Sequence, residues 1–129
     1  MFLNFMLLHE GITKTIIEAF YEVYNELGYG FLEKVYENAL ILELRRRGLQ
    51  VVQQERIEVY YKDHLVGEYF ADLIIEDKVI VELKAMEALR EEHECQLLNY
   101  LKATEIEVGL LLNFGEKPAF KRKVFSNQK

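Results

Sequence analysis

Two acids stand inside otherwise apolar segments, with a lysine two residues after the second. The segments read Phe70-Ala71-Asp72-Leu73-Ile74-Ile75 and Val79-Ile80-Val81-Glu82-Leu83-Lys84. Sequence of this kind lies in a sheet covered on both faces. A carboxylate there is costly unless a cation or hydrogen-bond donors satisfy it. Glu82 and Lys84 are two apart on a strand and share a face. For Asp72 to lie opposite Glu82 across a hairpin, the connection must be the three-residue turn Glu76-Asp77-Lys78 or contain a bulge. A two-residue turn puts Asp72 on the wrong face.

So arranged, the trio suits phosphate chemistry. Mg²⁺ is held by one or two carboxylates and leaves its other positions to water and phosphate oxygens. Such an ion lowers the pKa of a bound water and offsets charge building on the phosphate. Lys84 is then placed to hold the attacking water or to stabilise the transition state. The competing reading is a plain ion pair between Lys84 and one of the acids. Glu-x-Lys spacing alone favours that pair in a chain with 29% charged residues; the apolar setting of both acids sets the metal reading beside it.

Other residues bear on the same chemistry. Glu33 and Tyr36 are one helical turn apart, and Glu33 is expected to reach over the sheet as a further metal ligand. Its alternative role is a first-turn acid complementing the helix dipole. His93, Gln96 and Tyr100 form a polar flank beside a Leu97/Leu98/Leu101 stripe, positioned either to meet phosphate or simply to border the core. Glu43 falls near the centre of an apolar stripe and is assigned only a pairing with Arg46 or Arg47. His9, His64 and His93 lack zinc-like spacing, and the chain has neither a Gly-rich phosphate loop nor a Gly-x-Ser-x-Gly elbow.

The elements that must position these residues follow from periodicity. Residues 12–27 carry Ile12, Ile16, Ile17, Phe20, Val23, Tyr24 and Leu27 at helical spacing, with Gly28 as the stop. A second helix follows Gly30, with Leu32, Val35, Tyr36, Ala39 and Leu40 as its stripe, and ends at Arg45 to Arg47 with Gly48 as cap. Strands are predicted over 51–61, 65–75 and 79–84, a helix over 90–103, then strands over 107–114 and 120–125. The order α-α-β-β-β-α-β-β implies an α/β (α+β) sandwich around a mixed sheet, because a crossover helix permits the third and fourth strands to run parallel.

Composition bounds the rest. A chain of 129 residues with 50% hydrophobic content and one proline is expected to form one domain. Residues 1–8 are read as an N-terminal extension or docking segment, too short to span a bilayer and unlike a signal peptide. One cysteine, Cys95, implies no internal disulfide and a cytoplasmic setting. A net charge of −6 argues against a generic nucleic-acid coat protein. Basic residues nevertheless gather at Arg45 to Arg47 and over residues 113–129.

Gly30-Phe-Leu-Glu33-Lys-Val-Tyr36 resembles the signature of the GxxExxY family, within the PD-(D/E)XK nuclease-like superfamily. Asp72, Glu82-Leu83-Lys84 and Gln96-x-x-x-Tyr100 resemble, in order, its metal-binding acid, its Glu-x-Lys motif and the Gln-x-x-x-Tyr motif of RecB-like exonucleases. The resemblance runs from about Ile12 to Val124 and includes Val108-Gly-Leu-Leu-Leu-Asn-Phe-Gly115. Tyr24 stands where the family often has His, and Ala71 where the superfamily often has proline.

The resemblance implies an αβββαβ restriction-endonuclease-like core and phosphodiester hydrolysis dependent on Mg²⁺ or Mn²⁺. Asp72, Glu82 and Glu33 would be the ligands and Lys84 catalytic together with the two strand acids. Gln96, Tyr100, Tyr36 and His93 would meet the substrate. The expected partner is nucleic acid, DNA first, in repair or defence, with no membrane and with a homodimer or larger nuclease complex in view. The alternatives are a non-cleaving module of the same fold that binds nucleic acid or protein, and a structural oligomer subunit suggested by the apolar start and the tyrosines.

Overall fold

The computed structural model describes residues 7–126. Most of the apolar start read as an extension therefore lies outside the described residues. Helix α1 (Glu10–Leu27) buries Ile16, Ala19, Phe20 and Val23. It stops at Gly28, whose φ of 71° is left-handed and whose N–H reaches the Tyr24 carbonyl at 2.7 Å. Helix α2 (Glu33–Arg46) buries Tyr36, Glu37, Leu40, Ile41 and Leu44.

That seam is rotated from the expected one. Leu32 precedes the helix and is 81% exposed, Val35 faces solvent, and Ile41 and Leu44 do the packing instead. Glu43 accordingly leaves the seam and pairs with Arg47 at 2.7 Å.

Strands β1 (Val51–Tyr61), β2 (His64–Ile75), β3 (Val79–Lys84), β4 (Val108–Asn113) and β5 (Ala119–Val124) form one sheet in that order. Helix α3 (Glu91–Ala103) crosses between β3 and β4, which run parallel; every other pairing is antiparallel. The expected mixed sheet with three helices is the observed architecture. Among the described residues no helix is long and apolar enough to cross a membrane.

The sheet separates two apolar cores. Leu73, Ile75, Val79, Val81 and Leu83 pack with α1 and α2, whereas Ile74, Ile80 and Leu111 pack with Leu97, Tyr100 and Leu101 of α3. Gly109 sets the approach of α3: a Cβ there would lie 2.7 Å from Leu97 Cδ1.

The hairpin register is the one the acids require. Ile75 pairs with Val79, Ile74 with Ile80 and Leu73 with Val81, so Glu76-Asp77-Lys78 is a three-residue turn and Asp72 falls opposite Glu82. Glu76 and Asp77 both adopt φ 55° to make it. Strand β2 also turns over at this point. Ala71 joins the α3-side core, but Leu73 joins the other; regular alternation would keep both on one face. Gln54, opposite Asp72, has φ 53° and drops out of the ladder between Gln53↔Leu73 and Glu55↔Ala71.

Candidate active site

Asp72 and Glu82 satisfy each other's strands. The Asp72 N–H donates to Glu82 Oε2 at 2.8 Å, and the Leu83 N–H donates to Asp72 Oδ2 at 2.8 Å. The ladder between β2 and β3 ends at Leu73↔Val81, and beyond it each carboxylate takes over the main-chain donor that a carbonyl would otherwise have met. Both side chains are thereby aimed with one oxygen fixed. The second oxygens are poorly used: Asp72 Oδ1 meets Gln54 Nε2 at 3.5 Å, and Glu82 Oε1 has no hydrogen-bond partner among the described residues.

The cost of this arrangement is electrostatic. Glu82 is 7% exposed, and burial, with the Asp72 charge second, pushes its pKa from 4.5 to about 8. Burial also raises Asp72, against the opposing effect of the Leu83 N–H, and Glu37 adds to the rise. Glu33, at the start of α2, is raised by burial and then by Asp72 and Glu37. Burial and neighbouring charge thus disfavour the ionised forms of Glu33, Asp72 and Glu82, and Lys84 acts against that on all three. Lys84 itself is half-buried and makes no ion pair among the described residues. The plain Glu-x-Lys ion pair is therefore not what this structure forms.

On α3, Gln96 Nε2 donates to the Tyr100 hydroxyl at 2.9 Å. Tyr100 is 7% exposed; burial raises its pKa, and the charges of Glu82 and Asp72 add to the rise. His93 Nδ1 accepts from the Arg90 N–H at 3.0 Å, so the imidazole closes the start of the helix.

Tyr36 lies elsewhere than the sequence reading put it. It is fully buried and stacked on Phe114 at 4.5 Å; its hydroxyl donates to the Gly28 carbonyl at 2.7 Å and accepts from the Phe31 N–H at 3.2 Å. It holds the loop that leads into Glu33 and has no surface with which to meet a substrate.

Three supporting residues escaped the sequence reading. Glu37 is 6% exposed and takes Gln53 Nε2 at 2.6 Å, Gln54 Nε2 at 3.2 Å and Lys34 Nζ at 3.4 Å. Gln54 therefore bridges Glu37 to Asp72. Asn113, 1% exposed at the end of β4, accepts from the Met86 N–H at 3.0 Å and donates to the Met86 carbonyl at 2.9 Å. This clamp fixes the chain just after Lys84. A signal existed for it: Asn113 is the one polar side chain in Val108-Gly-Leu-Leu-Leu-Asn113.

The donor set fits a small hard cation. A buried carboxylate (Glu82) and a half-buried one (Asp72), each half-satisfied and destabilised as an anion, offer oxygens of the type Mg²⁺ and Mn²⁺ take. Among the described residues no group of three or more His, Cys, Asp or Glu side chains converges on one point. Glu33 is in electrostatic reach of the pair but is not gathered with it.

Comparison with known proteins agrees with this fold. The model of the PD-(D/E)XK nuclease superfamily matches residues 10–124. The crystal structure of SSO0001 superposes with a TM-score of 0.58 at 19% identity, over 71% of this chain and 50% of that one. The chain thus spans about half the length of that structure, and the likeness is one of fold. No curated protein matches.

Proposed function

The chain belongs to the PD-(D/E)XK nuclease superfamily, and on that premise we propose that it hydrolyses phosphodiester bonds, in DNA, with a divalent cation at Asp72 and Glu82. The carrying observation is the exchange of main-chain hydrogen bonds between those two acids, which aims both and leaves an oxygen of each underused. Nucleases of this superfamily typically use divalent metals; here Mg²⁺ or Mn²⁺ would supply positive charge against the phosphate and acidify a water.

The chain's own groups do the rest. Asp72 and Glu82 would hold the cation, with Glu33, in the first turn of α2, as the further acid within their electrostatic reach. Lys84, with no carboxylate holding its ammonium, orients the attacking water and offsets charge on the phosphate. Burial keeps the Tyr100 proton on its hydroxyl, and Gln96 fills one of its acceptor positions, so the proton is offered outward to a phosphate oxygen. His93, held at Nδ1, keeps Nε2 for the same substrate.

The finer assignment to the GxxExxY family also has a physical basis. Gly28 and Gly30 take φ of 71° and 109°; the Tyr36 hydroxyl pins the loop containing them, and that loop leads into Glu33, within electrostatic reach of Asp72 and Lys84.

The test is cleavage of labelled single- and double-stranded DNA in Mg²⁺, Mn²⁺ or EDTA, wild type beside Glu82→Gln. Metal-dependent cutting that falls at least about 100-fold in the variant is expected. Cutting that continues in EDTA, or undiminished in Glu82→Gln, rules out this site.

A further inference from the structure

A groove of about 450 Å³ runs between the β1–β2 hairpin and α3, lined among others by Val59, Tyr60, Tyr69, Gln96, Asn99 and Tyr100. Its character is aromatic but accessible. Tyr60 is 57% and Tyr69 45% exposed, and the Tyr69 ring centroid lies 5.7 Å from that of Tyr100 with the planes at 50°. The strand register slips between Val59 and Tyr60, and both residues face the groove; bulges re-aim side chains in this way beside functional sites. Glu58, also on the rim, pairs at 3.1 Å with Arg56, which also meets Glu68 at 2.7 Å, and accepts from the Tyr60 hydroxyl at 3.2 Å.

The groove and the acids share Tyr100 as a neighbour. Gln96 and Tyr100 form part of its wall, and the Tyr100 hydroxyl lies within electrostatic reach of Glu82 and Asp72. A chain bound in the groove would therefore lie within reach of the candidate metal ligands only through the wall that Tyr100 forms.

We propose that this groove binds an unstacked nucleobase of a single-stranded nucleic acid, stacked on Tyr69 and Tyr60 and edged by the Asn99 and Gln96 amides. The inference rests on the nuclease reading above and deepens it: the site takes single strands. Stacking platforms of this type are sequence-tolerant, because every base has a π-face. A duplex keeps its base faces inside its own stack and offers none to a tyrosine ring. Two uncharged amides at the edge suit a neutral base, which can present donors and acceptors together.

The test separates binding from cutting. The intact chain, in EDTA, is titrated into a single-stranded oligonucleotide carrying one 2-aminopurine, and into the same oligonucleotide annealed as a blunt duplex. Fluorescence quenching with the single strand and much weaker binding of the duplex are expected. Tyr69→Ala and Tyr60→Ala should each weaken single-strand binding about 5- to 150-fold, whereas Tyr69→Phe, which keeps the ring, should bind like wild type. Mn²⁺ affinity at Asp72 and Glu82, measured by calorimetry, should be unchanged in all three variants, which also shows that they fold. Equal affinity for duplex, or Ala variants that bind as wild type does, would overturn the groove assignment even if the protein cuts DNA. Single-strand quenching lost in the Ala variants, with no cutting under any metal, would uphold the groove and remove only the nuclease reading.

Discussion

The sharpest consequence of the acid pair is a dependence of stability on pH in the metal-free protein, removed by Glu82→Gln. Burial holds the Glu82 pKa at about 8, against 4.5 for the exposed group. Below pH 4.5 both the folded and the unfolded chain carry the proton, and the site has no effect. As pH rises above 4.5 the unfolded chain releases its proton while the folded chain retains it, so stability falls; the fall ends once the folded form ionises near pH 8. At about 1.36 kcal/mol per pH unit the whole change is about 5 kcal/mol. Asp72, shifted in the same direction, adds to it. A small domain has a total stability of about 5–15 kcal/mol, so the effect is large enough to see by urea unfolding in EDTA at pH 5.5, 7 and 8.5. Glutamine at 82 keeps an oxygen to accept the Asp72 N–H and cannot ionise, so most of the slope should vanish. Mn²⁺ added at pH 8 should restore the wild type but not the variant. A wild-type midpoint that is flat across this range and coincides with that of Glu82→Gln would refute the burial argument.

Three further outcomes are expected. Gln54→Ala removes the bridge between Glu37 and Asp72 and should weaken Mn²⁺ binding by about 10-fold in calorimetry, with little change in unfolding at pH 5.5. Asn113→Ala leaves both main-chain groups of Met86 without their partner and should destabilise the fold by about 2–3 kcal/mol, read from the urea midpoint. Tyr36→Phe keeps the stacking on Phe114 but frees the Gly28 carbonyl and the Phe31 N–H; a loss of about 1–2 kcal/mol is expected, with faster amide exchange confined to residues 28–32.

Much of the architecture is written in local pattern. The strands from Val51 to Lys84 alternate or run apolar in the manner of half-covered and fully covered strands, and their bounds in the structure differ from expectation by at most a residue. The Asp72–Glu82 pairing was readable because side-chain period and turn length leave few registers in which two acids can meet. The supports were not readable for a different reason. Glu37 sits on a charged helix and is buried where Gln53 and Gln54 meet it, the second of them at the point where β1 leaves its ladder. Tyr36 looks like a site residue in a motif, yet its hydroxyl partners are main-chain atoms of a loop, which no side-chain pattern announces. The α2 seam was displaced because Leu32 and Val35 are apolar but lie where neither core reaches.

The mutual hold of Asp72 and Glu82 has an evolutionary corollary. Each acid meets a main-chain N–H where the β2–β3 ladder ends, so under the proposed nuclease function a lineage that stopped cutting could not discard them freely. An apolar replacement at either position would strand a main-chain N–H at the centre of the sheet. Descendants relieved of catalysis should keep the pair, or exchange it for amides, long after Lys84 has drifted. Under the proposed nuclease function, the identity of residue 84 among relatives of this chain is accordingly a better marker of a working enzyme than the presence of the two acids.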